Sequence, residues 1–234
     1  SSSRTIKDSE KEKCASAGIT PIEYLIGYDG ITFSNSKKSS NFSFTKEQIF
    51  NAVSAKVMSN GKLVDNNYEV WSDIDPNLPN IKIDILAPPP SSGTRDAFVE
   101  LVMHSVCKKV YKMSKKDYEA QCSALREDGH VVETGENDNL IIEKLDNDEN
   151  RFGIFGFSFL DQNKDRVQGS IIDGVAPTFE TIADGSYKVS RPLFFYIKKE
   201  HIGVVPGIQE YADYFISLSD EDGPLASTGL IHVE

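Results

Sequence analysis

The alternation of apolar and polar positions predicts short strands separated by helices. Ile81, Ile83 and Ile85 alternate with polar residues, which is the period of a strand with one buried face. Two apolar stretches, Gly153–Leu160 and Leu193–Lys198, predict further strands. Strands that alternate with helical segments indicate an α/β fold.

The first third of the chain predicts two helices, each with a sequence signal for its start. Asp8 caps the first helix, and Thr45 with Gln48 forms a capping box for the second. The glycine-containing segment 27–30 predicts a turn between two strands. The predicted elements are a helix ending at Gly18, strands Ile22–Ile26 and Ile31–Phe33, a polar loop at 34–43, and a helix running to about Met58.

A hydroxyl-rich turn directly before a helical run is the strongest chemical signal in the sequence. The hydroxyls of Ser91, Ser92 and Thr94 surround Gly93, and the helical run Ala97–Val106 follows. The first amides of a helix and its dipole attract anions, and hydroxyls add donors at the same place. This pattern predicts a site for a phosphate-like oxyanion. The alternative is that Ser92 and its neighbours only cap the helix.

The surroundings of this turn favour the anion site. Three prolines, Pro88–Pro90, stiffen the approach to the turn, and Arg95 adds a fixed charge beside it. Arg95 has an alternative interpretation, as one half of an outward salt bridge. A second predicted helix start, at Asn137 and Asp138 before the amphipathic run Leu140–Leu145, is either a further ligand-facing terminus or an ordinary cap.

Composition narrows the classes of function. The net charge is -11 and the chain has no basic stripe, which argues against a nucleic-acid partner. No apolar run approaches the roughly 18 residues of a membrane span. Three cysteines, Cys14, Cys107 and Cys122, match no zinc spacing. A bridge between Cys107 and Cys122 would suit an oxidising compartment, and buried thiols are the alternative.

Signals for catalysis are missing from the sequence. The four histidines are scattered, Ser92 lacks the G-x-S-x-G elbow, and neither a Walker A motif nor a dinucleotide fingerprint is present. The sequence therefore predicts a protein that is not an enzyme, with no cofactor and no metal.

An ordered set of motifs resembles the periplasmic phosphate-binding proteins of ABC phosphate importers, in the type II periplasmic binding protein superfamily. Together the motifs cover nearly the whole chain, and the segment at 185–193 is similar to the stretch before a late strand of that family. The motifs are Ser2-Ser3-Arg4 followed by Glu10, Trp71 with Pro76 and Pro79, Ser92-Gly93-Thr94, and Gly153-Ile154-Phe155-Gly156-Phe157.

The resemblance implies a two-lobed α/β fold that holds phosphate in a cleft between the lobes and closes on it. Lobe one would comprise residues 1–31 and 158–234, and lobe two residues 32–157. Members of the family begin with a strand and a Ser/Thr-rich loop that donates to phosphate, so we expect the first lobe to lack both.

The resemblance also implies the residues of the site. Ser3 and Arg4 would donate from lobe one, and Ser91, Ser92, Gly93, Thr94 and Arg95 from lobe two. The sequence departs from the family at two charged positions, because Arg4 stands where an Asp is common and Pro88 stands where an Arg is common. A different carboxylate must then accept the proton of phosphate, and the candidates are Asp29 and Asp138.

The predicted function is therefore capture of inorganic phosphate outside the cytoplasm, in the periplasm or tethered to the membrane. The chain would act as a monomer and deliver its ligand to the membrane permease of an ABC importer. The alternatives are a binding protein for another oxyanion such as sulfate, a phosphatase-like enzyme that shares only the anion cradle, and a surface protein that has kept the fold without the ligand.

Overall fold

The chain forms two compact units. The computed structural model describes residues 2, 4–135, 137–220, 223–227 and 230–232, and the side chains of residues 138, 226 and 227 are not described. Unit one comprises residues 1–30, 179–186 and 190–234, and unit two comprises residues 31–178 and 187–189. Within the described ranges, the helices are too short or too polar to cross a bilayer.

Helices and strands alternate along much of the chain. The strands are β1 Pro21–Ser36, β2 Ser43–Phe44, β3 Lys56–Ser59, β4 Lys62–Asp65, β5 Ile85–Ala87, β6 Val131–Glu133, β7 Phe152–Gly156, β8 Val167–Gly169, β9 Ile171–Ile172 and β10 Ser190–Lys198. The helices are α1 Asp8–Ser16, α2 Lys46–Val53, α3 Trp71–Ile74, α4 Gly93–Phe98, α5 Ser105–Lys109, α6 Lys115–Gln121, α7 Asp138–Asp146, α8 Phe157–Gln162, α9 Phe179–Ala183, α10 Ile208–Ser217 and α11 Pro224–Ser227.

Unit one is built on an antiparallel pair between the first part of β1 and β10. The register runs from Pro21 opposite Lys198 to Gly30 opposite Ser190. Ring stacking holds this pair to α10, because Tyr24 stacks on Phe195 with ring centroids 4.8 Å apart and Phe195 meets Phe215 edge-on at 5.4 Å.

The turn predicted at residues 27–30 is wrong, because these residues continue β1 as an extended strand. Their backbone groups have partners on both sides: β10 runs along one, and Tyr28 exchanges two hydrogen bonds with Ile231 along the other, at 2.7 and 3.1 Å. A Cβ on Gly27 would collide with the carbonyl of Ile231. The glycine thus serves a close backbone approach, which a sequence pattern cannot distinguish from a turn.

Unit two is built on a mixed sheet with the strand order β1-β7-β5-β6, and β8 pairs with the end of β1. The second part of β1 pairs antiparallel with β7, whereas β7, β5 and β6 run parallel to one another. One face of this sheet carries an aromatic cluster in which every ring but the half-buried Phe42 is buried. Its rings are those of Phe33, Phe42, Phe44, Trp71 and Phe152, with centroid separations from 4.6 to 6.0 Å.

Helix α2 confirms the predicted capping box but is shorter than predicted. The Thr45 N–H donates to Gln48 Oε1 at 2.8 Å, and the Gln48 N–H donates to Thr45 Oγ1 at 3.1 Å. The helix ends at Val53, and β3 and β4 then form a hairpin around Asn60 and Gly61, both with positive φ. The Asn-Gly pair is a standard signal for this turn.

Two further segments differ from the sequence prediction. The start of the predicted polar loop, Ser34–Ser36, is the fully buried end of β1. Its hydroxyls find partners inside the sheet: the Ser34 hydroxyl donates to Thr32 Oγ1 at 3.0 Å. The predicted strand 153–160 ends at Gly156, where α8 begins.

The division into units also differs from the lobes that the resemblance implied. The resemblance implies that residues 158–178 belong to lobe one, whereas they pack with unit two. Strand pairing explains the difference, because β8 pairs with Ser34–Ser36 and β9 pairs with β2. The first boundary lies between residues 30 and 31, one residue before the expected position.

The helical run after the anion turn is longer than predicted and is closed by a disulfide. Helix α4, a π-helical segment at Val99–His104 and α5 follow one another without a break in helical backbone geometry. Cys107 on α5 is bonded to Cys122, just after α6, and both cysteines are fully buried. The predicted bridge is present, and Cys14 is unpaired.

Gly153 allows α7 to pack closely on β7, which predicts a stability loss on substitution. A Cβ at this position would lie 2.7 Å from Ile141 Cγ2 and 3.0 Å from Leu145 Cδ1. We expect Gly153→Ala to lower the free energy of unfolding by about 1–3 kcal/mol through overpacking. Urea denaturation checks this. The control is Gly135→Ala, since Gly135 has nothing within 4 Å of a Cβ; equal stabilities of the two variants would contradict the packing argument.

Candidate functional site

The parallel strands of unit two bring several loops to one edge of the sheet. Because β5, β6 and β7 run parallel, their carboxyl ends lie at the same edge, and the chain leaves each of them there. A helix begins soon after each strand: α4 after β5, α7 after β6 and α8 after β7. Ligands of open α/β sheets bind at such an edge, where helix N-termini converge.

The hydroxyl-rich turn occupies the centre of this edge, after the central strand β5. Ser92 is the N-cap of α4, and its Oγ accepts a hydrogen bond from the Thr94 N–H at 3.2 Å. The capping alternative is therefore present in the structure. It does not exclude ligand binding, because a hydroxyl that accepts a bond through its oxygen keeps its own proton to donate.

The turn is open at Gly93. This residue is exposed, and beyond its chain neighbours and the backbone of its own helix no described atom lies within 4 Å of the position that a Cβ would take. Ser91 is exposed, and Ser92 and Thr94 are half-buried. The structure thus brings the four predicted residues 91–94 together at a helix start, where Ser91 and Gly93 are exposed and the Ser92 N–H donates to the Pro89 carbonyl at 3.0 Å.

Arg95 lies beside the turn but is held by the protein. Its Nη1 donates to the carbonyl of Pro88 at 3.0 Å and to Glu133 Oε1 at 3.1 Å. The Arg95 side chain is only 10% exposed, whereas Glu133 is 49% exposed. The salt-bridge interpretation of Arg95 therefore has a specific partner, at the end of β6. No local sequence pattern points to Glu133, because the pairing depends on the parallel register of β5 and β6.

The loop after β6 lies at the same edge as the turn. Thr134 ties it to β5, since its N–H and its hydroxyl both donate to the Ala87 carbonyl, at 2.9 and 3.2 Å. Asn137 is the N-cap of α7, and its Oδ1 accepts from the Asn139 N–H at 3.1 Å. The side chain of Asp138 lies outside the described part of the chain, so its role as an acceptor stays a prediction.

The candidates in unit one are charged residues with internal partners. Ser3 lies outside the described residues. Arg4 forms a two-pronged salt bridge with Glu10, at 2.9 and 2.7 Å, and also donates to the Thr5 carbonyl. Hydrogen bonds from the Arg4 guanidinium and from the Lys7 backbone hold the pKa of Glu10 at about 2. The same carboxylate thereby fixes Arg4 and the start of α1.

Asp29 lies opposite Arg191 in the β1–β10 pair. The Arg191 Nε is 3.4 Å from Asp29 Oδ2, which forms an ion pair. Burial raises the pKa of Asp29, and the Arg191 charge opposes this shift. A carboxyl whose pKa is raised is a stronger proton acceptor when ionised. Arg191 was not among the predicted residues, since its relation to Asp29 follows from strand register alone.

Among the described residues, no group of three or more His, Cys, Asp or Glu side chains could hold a metal ion. His130, the most buried histidine of the described part, contacts the Ile83 carbonyl through Nδ1 at 2.7 Å and Glu69 through Nε2 at 3.2 Å. Its ring links two loops within unit two.

Curated relatives of this chain are phosphate-binding proteins. The chain is 30% identical over 220 residues to the phosphate-binding protein PstS of Staphylococcus saprophyticus. The aligned region covers 92% of this chain and 59% of that protein. It is 32% identical over 205 residues to PstS of Staphylococcus haemolyticus. The aligned region covers 86% of this chain and 55% of that protein. The chain thus spans less than two thirds of the length of these relatives.

Solved structures share the fold of this chain. A structure described as a possible phosphate binding protein from Planctomyces limnophilus superposes with a TM-score of 0.75 at 23% identity, over 100% of this chain and 74% of that one, which shows the fold. A phosphate ABC transporter substrate-binding protein with bound phosphate, so described, from Clostridium perfringens superposes with a TM-score of 0.57 at 26% identity, over 99% of this chain and 77% of that one.

These comparisons confirm the two-lobed α/β fold of phosphate-binding proteins that the motifs indicated. The family model described as "PBP superfamily domain" matches residues 1–219. This match covers all the motifs on which the resemblance depends. The chain therefore belongs to the PBP superfamily.

Proposed function

We propose that this chain is the substrate-binding protein of an ABC phosphate importer, which captures inorganic phosphate outside the cytoplasm. The observation that carries the proposal is the open set of hydroxyl and amide groups at residues 91–94, at the carboxyl edge of three parallel strands. Relatives named as phosphate-binding proteins PstS support the ligand. The Clostridium perfringens structure, described with bound phosphate, supports it as well.

The proposal extends to the compartment and the partner. A buried disulfide between Cys107 and Cys122 suits the oxidising space outside the cytoplasm. The partner would be the membrane permease of the importer, to which a monomeric chain delivers phosphate without chemical change. The net charge of -11 makes nucleic acid an unsuitable partner.

Calorimetric titration with phosphate and with sulfate tests the proposed function. A phosphate-binding protein should release or absorb heat saturably with phosphate and bind sulfate much more weakly. Preferred binding of sulfate would make the chain a carrier of another oxyanion. Hydrolysis of a phosphate ester by the purified chain would replace the proposal with an enzymatic function.

Thr94 should contribute directly to phosphate binding. In the proposed site its hydroxyl donates to a charged oxygen, and such charge-assisted bonds are stronger than neutral ones. We expect Thr94→Val to weaken phosphate binding by about 1.5–3 kcal/mol. The matched control is Thr20→Val, which changes an exposed threonine just before β1. Equal dissociation constants for both variants, measured by calorimetry, would remove Thr94 from the site.

Arg4 should matter more to phosphate than Arg95. Arg95 is nearly buried and already donates to Pro88 and Glu133, whereas Arg4 is 45% exposed in its salt bridge with Glu10. Lysine keeps the charge but loses the fork of an arginine, so Arg4→Lys should weaken phosphate binding more than Arg95→Lys. Titration of both variants decides this. Two equally small losses would mean that both arginines serve the protein alone.

Selection against sulfate should depend on a carboxylate. Phosphate near neutral pH carries a proton that it can donate to a carboxylate, and sulfate does not, so an ionised acceptor repels sulfate. We propose Asp29 and Asp138 as the candidates. Asp29→Asn or Asp138→Asn should narrow the ratio of phosphate to sulfate affinity, measured by paired titrations. If neither variant changes this ratio, the acceptor is another group and this assignment fails.

A further inference from the structure

A pocket lined by lysines lies in unit two, away from the phosphate-binding candidates. Its volume is about 240 Å³, and lysines from three segments line it. We call it the lysine pocket. Its charged lining residues are Lys46, Glu47, Lys109, Asp173 and Lys188.

Lys46 is the buried member of this set. The residue is 9% exposed, and its Nζ donates to the carbonyls of Lys188 at 2.7 Å and of Leu101 at 3.1 Å. These bonds use two of the three donors of an ammonium group. Leu101 belongs to the π-helical segment. Lys46 therefore connects α2, the π-helical segment and residue 188 at the wall of the pocket.

The lining of the pocket carries more positive than negative charge. Lys46, Lys109 and Lys188 give three positive charges against two negative ones, from Glu47 and Asp173, so the difference is one. The Asp173 carboxylate is already engaged, since its Oδ1 accepts the Lys46 backbone N–H at 3.1 Å. The Glu47 carboxylate is near Tyr111. Burial and the Glu47 charge raise the pKa of the Tyr111 hydroxyl.

The pKa of Lys46 is lowered to about 8, mainly by burial; the charge of Asp173 raises it, and the charges of Lys109 and Lys188 lower it. The ammonium form therefore lacks the stabilisation that solvent gives to an exposed lysine. An anion in the pocket would supply such stabilisation, and hydroxyls at Thr45 and Ser105 offer further donors.

We propose that the lysine pocket binds a small oxyanion, either phosphate, sulfate or a carboxylate, at a second site on the chain. It shares no residue with the turn at 91–94. Ser105 follows Gly93 by 12 positions along one helical run. At a helical rise of about 1.5 Å per residue, the two sites are roughly 15 Å or more apart. The inference does not depend on the proposed transport function.

Amide NMR spectra recorded during a sulfate titration test the second site directly. Sulfate keeps its charge over the range of interest, so its own ionisation does not disturb the result. We expect saturable shifts at Lys46, Ser105 and Lys188, with an affinity that increases as the pH falls through about 8 and Lys46 becomes charged. The same pocket is also lined by Glu47, Asp173, Lys109 and Lys188. Neither acid becomes more negatively charged as the pH falls.

Substitutions of the two exposed lysines separate the site from a general effect of charge. Lys46 variants are unsuitable, because they would leave two carbonyls without their donor. Lys109→Gln and Lys188→Gln should each weaken sulfate binding at the pocket about two- to fivefold. The control is Lys108→Gln, an exposed neighbour on α5 that does not line the pocket.

The outcomes distinguish this site from the phosphate site. A phosphate titration of the Thr94→Val variant, followed by amide NMR, should still show the shifts at the pocket residues. Failure of the transport proposal would remove the shifts at Gly93 and Thr94 and leave the pocket shifts unchanged. No saturable shift at the pocket, or an equal loss of affinity in Lys108→Gln, would overturn the second site. Acetate in place of sulfate shows whether a carboxylate is accepted.

Discussion

The parallel pairing of β5, β6 and β7 is the constraint on which the candidate site depends. Parallel strands must leave the sheet at one edge, so three loops and three helix starts meet there. Amides at helix starts are directed donors with a favourable dipole. A protein with a net charge of -11 can therefore bind an anion locally, without a basic surface.

Charged side chains in this protein mostly hold its segments in place. Arg95 joins Pro88 to Glu133 beside the hydroxyl turn, and Arg4 joins Thr5 to Glu10 at the start of α1. Both arginines thus have a carboxylate partner. Lys46 differs, since its two hydrogen-bond acceptors are neutral carbonyls and the charges around it are those of Asp173 and two further lysines. This difference is why the lysine pocket, and not the arginines, points to an additional anion.

The sequence predicted the local features well, because they depend on neighbouring residues. The capping box of α2, the helical run after Ser92 and the α/β alternation all follow from patterns within a few positions. The cysteine bridge was one of two open interpretations. The ordered motifs also indicate the family, because each is a short local pattern.

Other features depend on partners that are distant in sequence, so no local pattern reveals them. Residues 27–30 are a strand because β10 and Ile231 flank them, and Ser34–Ser36 are buried because β8 pairs with them. The partner of Arg95 follows from the register between β5 and β6. A lysine at a helix start is ordinarily a surface residue, and Lys46 is buried because segments distant in sequence pack around it.

A crystal structure of the chain grown with inorganic phosphate tests the central claim most directly. The account predicts phosphate at the carboxyl edge of β5, with its oxygens about 2.7–3.1 Å from the Gly93 nitrogen and from Thr94 Oγ1. A phosphate bound with full occupancy elsewhere, with the turn at 91–94 contacting only solvent, would contradict it.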